Sequence, residues 1–295
     1  MTPGVSVVIA ARDAEDTIGE QLRALCEQPW PSAGEIIVAD NGSTDRTSTV
    51  AAEFHSAEVP VRVIDAGQMA GAGYARNQGV SAAAYSKIAF CDADDVVGDS
   101  WIAAIAAGLD RATAVGGSLD FDQLNPAWSV GSRGRLLASE QLPVFDGVFP
   151  VLSSCNLGIQ RSTFEQLGGF DVDFLRGQDA ELSLRLHKAG HAALFLRDAV
   201  VHYRMRSTLR DIYAQARGWG QVQVALRSMI ADGVGHGSAA GSQRATARSW
   251  MWLGARAPLL LSRSGRARWA YVAGTRVGAL TEVRRQRQIE GLVAS

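Results

Sequence analysis

Short apolar runs alternate with segments of helical spacing over the first 110 residues. Val5–Ala10 is a continuous run rich in β-branched residues, as in a strand buried on both faces of a parallel sheet. Similar runs follow at Glu35–Ala39, Val61–Ile64 and Lys87–Cys91. Helical spacing lies between these runs, over Asp13–Cys26, Thr44–Phe54 and Ala72–Ala84. This alternation predicts βαβ units in an α/β fold, with a mostly parallel, Rossmann-like central sheet flanked by helices.

The pattern becomes looser after about residue 110. Strand-like runs cover Gly116–Phe121, Val148–Gln160 and Phe195–His202, and helical spacing covers Ser162–Leu167 and Ala180–Ala189. Helical segments are then predicted over Ser207–Ala231, Arg244–Leu261 and Ala267–Gln288, with a Gly-rich break at Gly233–Gly241. We therefore expect an α/β domain over residues 1–205 and a mainly helical region over residues 206–295.

Composition and charge add a second division of the chain. The 295 residues are 47% hydrophobic and 20% charged, as in a folded globular protein. The formal net charge is −1, but residues 203–295 hold 15 Arg and four acids, so the helical region is strongly basic. The three cysteines form no CxxC motif. We expect reduced thiols and a cytoplasmic protein, because neither a signal peptide nor a long apolar span is evident.

Candidate chemistry lies after the predicted strands. In an open parallel sheet, ligands bind beyond the carboxyl ends of the strands. Polar or glycine-bearing segments follow all four strands of the first half, at Ala10–Asp13, Asp40–Ser43, Gly67–Asn77 and Asp92–Asp95. These segments are expected to meet at one edge of one sheet.

The acidic segment Asp92–Ala93–Asp94–Asp95 is the sharpest of these signals. Its three carboxylates repel one another unless a cation lies among them, and Mg²⁺ or Mn²⁺ commonly bridges carboxylates to substrate phosphates. The alternative is a solvated turn whose acids cap the helix before Trp101. The segment alone leaves both interpretations open.

The other loops are weaker signals. Asp40 can accept a hydrogen bond from a nucleobase or a ribose hydroxyl, or it can form an Asx turn with Asn41 and Ser43. Backbone in Gly67–Gly73 can approach a phosphate, with Arg76 supplying charge, or it can be an ordinary turn.

Together, the motifs resemble a known family. VSVVIAARDAEDTI, EIIVADNGSTDRT, GAGYARNQGV and FCDADD occur in the order and spacing of the inverting family 2 glycosyltransferases, which have the GT-A fold. The resemblance covers about residues 5–205. It implies a nucleotide-sugar donor, a divalent metal and inversion at the anomeric carbon. The donor half would be residues 1–110, and the acceptor and catalytic half would be residues 111–205.

The resemblance also implies roles for individual residues. Ala10 and Asp40 would contact the nucleobase, Arg76 and Asn77 would lie in the donor pocket, and Asp92 and Asp94 would form the Asp-x-Asp metal and ribose site. Two positions depart from the family pattern. Ala10, Arg12 and Asp13 stand where a Pro, an aromatic residue and Asn are frequent, and Asp40-Asn41 stands where Asp-Asp is frequent.

The second half continues the resemblance with SSCNLGIQRSTFEQLGGFD and GQDAELSLRLHKAG. The family has an acidic pair at the start of the second segment, where this chain has Gln178 and Asp179. Asp179 would be the general base, although it can also be an acid favoured by the helix dipole. His202 would complete the metal site, as in several relatives, or it is a hydrogen-bonded structural residue.

The basic region combines its arginines with Trp219, Trp250, Trp252 and Trp269 and the apolar patch Ala257–Leu261. Such helices can lie on the cytoplasmic face of a membrane, or they can pack on the catalytic domain or on a second subunit in a homodimer. Gly274-x-x-x-Gly278 does not indicate a membrane dimer, because its surroundings are charged. No motif supports nucleic-acid binding.

The sequence thus predicts an inverting, Mg²⁺- or Mn²⁺-dependent glycosyltransferase that uses a UDP-, GDP- or dTDP-linked sugar. The acceptor would be a glycan, a lipid-linked molecule or a small molecule. One alternative is a nucleotidyltransferase, although AARDAED lacks the glycines typical of that class after the first strand. The other is an inactive GT-A domain that binds a glycan or scaffolds an assembly.

Overall fold

A computed structural model describes residues 2–54, 59–133, 140–231 and 260–293. These residues form two units, one from those within 1–124 and 136–204 and one from those within 125–135 and 205–295. The predicted break Gly233–Gly241 and most of the predicted helix Arg244–Leu261, with Trp250 and Trp252, lie outside the described residues.

The first unit is built on an eight-stranded sheet with the order β3-β2-β1-β4-β9-β6-β10-β5, beside a two-stranded hairpin, β7-β8. The strands are β1 (Thr2–Ala11), β2 (Gly34–Asp40), β3 (Val61–Asp65), β4 (Tyr85–Asp92), β5 (Val96–Val97), β6 (Ala114–Asp120), β7 (Val144–Phe145), β8 (Phe149–Pro150), β9 (Asn156–Gln160) and β10 (Ala193–His202). The first four strands are parallel, with β1 between β2 and β4. Residues Val5–Ile9 of β1 are wholly buried, which explains why they are apolar except for Ser6, whose hydroxyl donates to Glu35 at 2.8 Å.

Helices flank this sheet and join its strands. They are α1 (Ile18–Glu27), α2 (Thr47–Ala52), α3 (Ala72–Ala82), α4 (Trp101–Leu109), α6 (Arg161–Gln166) and α7 (Gln178–Lys188), with α5 (Ala127–Arg133) in the second unit. The chain first runs outward from β1 to β3, and α3 then returns it to β4 on the other side of β1. This reversal makes the carboxyl ends of β1 and β4 a topological switch point, where ligands bind in such sheets.

Helix α1 begins later than predicted, at Ile18 instead of Asp13. Asp13 adopts a left-handed conformation with φ of 48°, and its N–H donates to the Ser43 hydroxyl at 3.1 Å. The Ala14 N–H also donates to Thr47 at the start of α2, and the Glu15 N–H donates to Asp45 in the loop after β2. These contacts hold the loops after β1 and β2 together.

The predicted strand Val148–Gln160 is interrupted. Only β8 and β9 are extended, and the Asn156 N–H closes the turn between them by donating to the Ser153 carbonyl at 2.9 Å. Strand β9 is antiparallel to both β4 and β6. The Asn156 side chain anchors it, accepting from Trp101 at 2.8 Å and donating to the Ser118 and Ala199 carbonyls.

The second unit contains α5, α8 (Leu209–Ala231) and α9 (Arg263–Val293). Helices α8 and α9 cross closely at Gly220, Gly274 and Gly278, where added Cβ atoms would overlap facing backbone. The GxxxG pair therefore packs within the chain. No helix in the described ranges is both long and apolar enough to cross a membrane.

Candidate active site

The acidic loop after β4, residues 92–95, is held from two sides. Gln21 of α1 is fully buried, and its amide nitrogen donates to the Asp92 carbonyl at 3.2 Å. Its amide oxygen accepts the Val97 N–H at 2.9 Å. From the other side, Arg204 donates its backbone N–H to Asp95 at 2.7 Å and its Nε to the Asp94 carbonyl at 2.8 Å. The conformation of the loop is thus fixed by groups far apart in sequence.

Arg76 of α3 reaches the acidic loop from a third side. Arg76 is only 4% exposed, and its Nη2 donates to Asp92 Oδ1 at 2.6 Å. The guanidinium lies 5.6 Å from the centroid of the Phe170 ring. Its Nε is buried without a hydrogen-bond partner among the described residues. Arg76 therefore neutralises part of the acidic charge and retains an unused donor.

Asp179 lies in the first turn of α7, which follows Gly177 at a φ of 71°. Its Oδ1 accepts the Ala180 N–H at 2.9 Å, and its Oδ2 accepts the Ser154 N–H at 3.3 Å. Burial raises the pKa of Asp179 above the usual range, despite these hydrogen bonds and the nearby charge of Arg76. The neighbouring charge of Asp92 also favours the protonated form.

A mixed group of metal-ligating side chains lies beside Asp179. Carboxylate oxygens of Asp92 and Asp95 and the Cys155 sulfur lie within 4.8 Å of one another. Burial raises the pKa of the Cys155 thiol well above its usual range, and the charges of Asp95, Asp92 and Asp179 raise it further. The carboxylates suit Mg²⁺ or Mn²⁺, which prefer oxygen ligands.

This group differs from the predicted metal ligands. Neither Asp94 nor His202 belongs to it. Asp95 was expected only as one of the three acids that a cation could join, and Cys155 was not predicted. The Asp95 side chain is visible in sequence only as a third acid after β4. The sequence around Cys155 does not indicate a metal site, because the nearby acids Asp92 and Asp95 belong to the loop after β4 and Cys155 lies between β8 and β9.

His202 forms a close pair with Asp120, the residue opposite it in the parallel β6–β10 ladder. Its Nδ1 lies 2.7 Å from Asp120 Oδ2. Burial alone would raise the pKa of Asp120, but hydrogen bonding to His202 and to nearby backbone lowers it. A carboxylate at Nδ1 is the usual partner of a histidine that ligates metal through Nε2, and it also suits a structural histidine. The role of His202 as a metal ligand stays a prediction.

Asp40 forms the Asx turn that the sequence left open. Its Oδ1 accepts the Ser43 N–H at 2.9 Å and the Ser43 hydroxyl at 2.6 Å, and its Oδ2 accepts the Ser48 hydroxyl. Burial alone would raise the pKa of Asp40, but these hydrogen bonds lower it. The carboxylate is therefore ionised and firmly oriented at the carboxyl end of β2. Contact with a nucleobase stays a prediction.

Ala10 and Asn77 occupy different places around this edge. Ala10 pairs with Asp92 in β4 and with Ala39 in β2, so it lies at the switch point. The Asn77 amide is engaged with the backbone of Phe170, donating to its carbonyl at 2.8 Å and accepting its N–H at 2.9 Å. Asn77 thereby holds the ring that lies against Arg76. Its place in a donor pocket stays a prediction.

Two residues near the start of α7 have structural contacts. Gln178, which replaces an acid of the family pattern, is buried and packs against Gly73 of α3. Glu181 accepts from Arg185 at 2.6 Å, and Arg185 also donates to the carbonyls of Leu167 and Gly169. These contacts bind α7 to the loop that precedes it.

The structure thus brings Asp92, Asp179 and Arg76 into one neighbourhood, with Asp95 and Cys155 beside them. Ala10 is adjacent to this group through its pairing with Asp92. Such an arrangement offers carboxylates for a cation, a buried guanidinium for an anion and a carboxylate with a raised pKa for proton transfer.

Comparison with known proteins identifies the fold and the family. A mannosyltransferase from Pyrobaculum calidifontis, solved with GDP-Man and Mn²⁺, aligns with a TM-score of 0.66 at 19% identity, covering 96% of this chain and 88% of that one. S. aureus TarS residues 1–349, solved with UDP-GlcNAc, aligns with a TM-score of 0.57 at 15% identity, covering 96% and 92%. These neighbours confirm the expected GT-A fold.

Sequence comparison agrees with the structural result. Glycosyltransferase AglE of Haloferax volcanii is 27% identical over 235 residues, which are 77% of this chain and 76% of AglE. The sequence model named "Glycosyl transferase family 2" matches residues 6–168, more than half of the chain. The resemblance inferred from the four motifs is confirmed, and the protein belongs to glycosyl transferase family 2.

Proposed function

We propose that this glycosyltransferase moves a sugar from a nucleoside-diphosphate sugar to an acceptor hydroxyl, with inversion at the anomeric carbon. Asp179 is the general base. It accepts the proton of the acceptor hydroxyl as that oxygen attacks the anomeric carbon, while the nucleoside diphosphate departs from the opposite face. The observation that carries the proposal is the placement of Asp179 beside Asp92 and Arg76.

The environment of Asp179 supports this role. Its two backbone hydrogen bonds hold the carboxylate in one orientation, from Ser154 on one side and from Ala180 on the other. Its raised pKa makes it a stronger base than an exposed aspartate. Glu181 is a weaker candidate, because its carboxylate is paired with Arg185.

Asp92 and Asp95, with Asp94 in the same loop, would hold Mg²⁺ or Mn²⁺. A divalent cation bound there stabilises negative charge on a departing diphosphate. Arg76 fixes Asp92 and can direct its unused Nε toward an anionic donor. The donors bound by the two structural neighbours, GDP-Man and UDP-GlcNAc, support a nucleotide-sugar donor here.

The donor and the reaction class are tested by one product assay. The protein is incubated with Mn²⁺ and UDP-, GDP- or dTDP-linked sugars, with and without candidate acceptors, and nucleoside diphosphate release is measured. We expect release from one nucleotide class, and it should stop when EDTA removes the metal. Pyrophosphate release would indicate a nucleotidyltransferase. Nucleotide binding without any release across the panel would favour the inactive scaffold.

The basic helical region bears on the acceptor. We propose that the protein works on the cytoplasmic side of a membrane and that exposed arginines of α9, such as Arg266 and Arg284, contact its anionic surface. Sedimentation with phosphatidylglycerol vesicles tests this, with neutral phosphatidylcholine vesicles as the control. Equal binding to both, or to neither, would contradict it.

A further inference from the structure

The group formed by Asp92, Asp95 and Cys155 has an unusual chemistry for a site that takes hard cations. Asp95 and Cys155 are almost fully buried, at 1% and 5% exposed, while the Asp92 side chain is 30% exposed and is the accessible member. Mg²⁺ and Mn²⁺ use oxygen ligands and gain little from sulfur. A thiol whose sulfur lies within 4.8 Å of two carboxylates instead suits a softer cation.

The three ligand atoms are near enough to converge on one ion. They lie within 4.8 Å of one another. Tetrahedral zinc binds sulfur at about 2.3 Å and carboxylate oxygen at about 2.0–2.2 Å, so its sulfur and oxygen ligands lie about 3.6 Å apart. The widest pair of the group must therefore close by up to about 1.2 Å, and the partly exposed Asp92 side chain has the most room to move.

The charge around the group also favours a cation. Asp92, Asp95 and Asp179 act on the Cys155 position together, and Arg76 is the cation that opposes them most directly. A divalent ion added here would reduce the surplus negative charge. The coordinated thiol would lose its proton to solvent as its sulfur binds the ion.

We propose that Asp92, Asp95 and Cys155 form a binding site for a thiophilic divalent cation of the Zn²⁺, Co²⁺ or Cd²⁺ class. The sulfur distinguishes this ligand set from the oxygen ligands that Mg²⁺ or Mn²⁺ uses. Because both sets include Asp92 and Asp95, such an ion competes with the cation of the proposed transfer reaction, and this last consequence alone rests on the proposed function.

Cobalt provides a probe that does not depend on activity. Co²⁺ is titrated into the full-length protein, and thiolate-to-cobalt charge transfer is followed in the near ultraviolet. The chain has three cysteines, so Cys26→Ser and Cys91→Ser serve as matched controls for Cys155→Ser. We expect the band in the unmodified protein and in both controls, and its loss in Cys155→Ser. Zn²⁺ affinity should fall at least about tenfold in that variant, the lower end of what loss of an outer-shell partner costs, while Mg²⁺ affinity should change little.

A band that persists in Cys155→Ser, or one that is absent from the unmodified protein, would overturn the proposal. If Cys155→Ser does not fold, proton release from the unmodified protein decides the matter. Zn²⁺ binding at neutral pH should release the proton of the Cys155 thiol, and Mg²⁺, which does not use the sulfur, should release fewer protons than Zn²⁺. Equal release by both ions would also overturn it. Failure of sugar transfer would not affect these measurements, so the two proposals fail separately.

Discussion

The side-chain oxygen of Asn41 accepts the Gly71 N–H at 2.7 Å, which joins the loop after β2 to the residue before α3. The Asn41 amide nitrogen donates to the Ala66 carbonyl at 2.6 Å and the Met69 carbonyl at 2.8 Å. All three hydrogen bonds join Asn41 to residues 66–71, at the Gly-rich segment that precedes Arg76. Asn41 therefore has a structural reason to replace the more frequent aspartate: an ionised carboxylate cannot donate to two carbonyls.

Replacing Asn41 by Asp should destabilise the protein in a pH-dependent way. The ionised carboxylate would face two carbonyl oxygens, and we expect a loss of about 1–3 kcal/mol in the free energy of unfolding at pH 8. Unfavourable contact of the charged form raises its pKa in the folded state, so the loss should shrink as the pH falls through that pKa. Urea unfolding at pH 8 and pH 5 measures this. Asn41→Ala is the control without a titrating group, and an equal loss at both pH values in Asn41→Asp would contradict the argument.

Asp179→Asn should reduce turnover by about 10²–10⁴-fold, the usual contribution of a general base, while donor affinity stays nearly unchanged. The asparagine keeps the shape of the side chain but cannot accept the proton. Single-turnover kinetics and calorimetric binding of the nucleotide measure the two effects. Asp173→Asn, which changes an exposed acid on the preceding loop, is the matched control. Near-normal turnover in Asp179→Asn would remove this residue from the mechanism.

The raised pKa of Asp179 also predicts the acid side of the pH–rate profile, because its main cause is burial. The protonated form is inactive as a base, so turnover should fall as the pH drops through a pKa above that of an ordinary aspartate. The profile is measured with saturating donor and metal. A decline that begins only at the pH where exposed aspartates titrate would contradict the burial of the base.

Glu35→Gln should affect stability without affecting catalysis. Glu35 begins β2 at the end opposite Asp40, and its carboxylate accepts from Ser6 at 2.8 Å, from the Ala84 N–H at 2.6 Å and from Arg62 at 2.6 Å. The neutral amide of Gln would lose the charge that strengthens these hydrogen bonds. Because Arg62 is partly exposed, solvent already weakens its attraction to Glu35, so we expect a loss of only about 1–3 kcal/mol in the free energy of unfolding.

The pH dependence of this contribution follows from the same contacts. Burial alone would raise the pKa of Glu35, but its hydrogen bonds from Ala84, Arg62 and Ser6 lower it. The stabilisation is therefore present above the unfolded-state pKa and is lost as the pH falls through the folded-state pKa. Denaturant unfolding of both proteins over this range should show their stabilities converging in acid. A constant difference would contradict it.

Gly278→Val should destabilise the helical unit. An added side chain would overlap the Arg217 carbonyl across the α8–α9 crossing, and overpacking of this kind costs about 1–3 kcal/mol or more. Thermal unfolding followed by circular dichroism measures the effect. Arg287→Ala, at an exposed position of the same helix, should change the midpoint little. An unchanged midpoint in Gly278→Val would show that the two helices do not pack closely.

The parallel half of the sheet was predictable because its signal is local. A strand such as β1, buried on both faces, needs a mostly apolar run, and Val5–Ala10 is apolar except for Ser6. The late start of α1 was not predictable, since it depends on hydrogen bonds from Asp13 and its neighbours to side chains about 30 residues away. The antiparallel placement of β9 likewise depends on distant partners of Asn156.

The candidate site divides in the same way. The places of Asp92 and Asp179 in the fold could be predicted, because Asp92 ends β4 and Asp179 lies in the first turn of α7, and both elements have a local sequence pattern. Their roles in a site stay predictions. The proximity of Cys155 to Asp92 and Asp95 could not be predicted, because Cys155 lies in an irregular loop between β8 and β9. The hydrogen bond from Asn77 to the Phe170 carbonyl also could not be predicted, because the two residues are 93 positions apart and no local pattern indicates their contact.

Gln21 has a consequence for any attempt to alter the acidic loop by design. The buried side-chain amide of Gln21 in α1 hydrogen-bonds to Asp92 and to Val97, the two ends of this loop. It therefore helps to set the distance between the carboxylates that the loop carries. A loop transplanted from a relative would keep its own geometry only if the matching helix residue came with it. Helix α1 and the loop after β4 should therefore be altered together, although Gln21 and Asp92 are 71 positions apart in the chain.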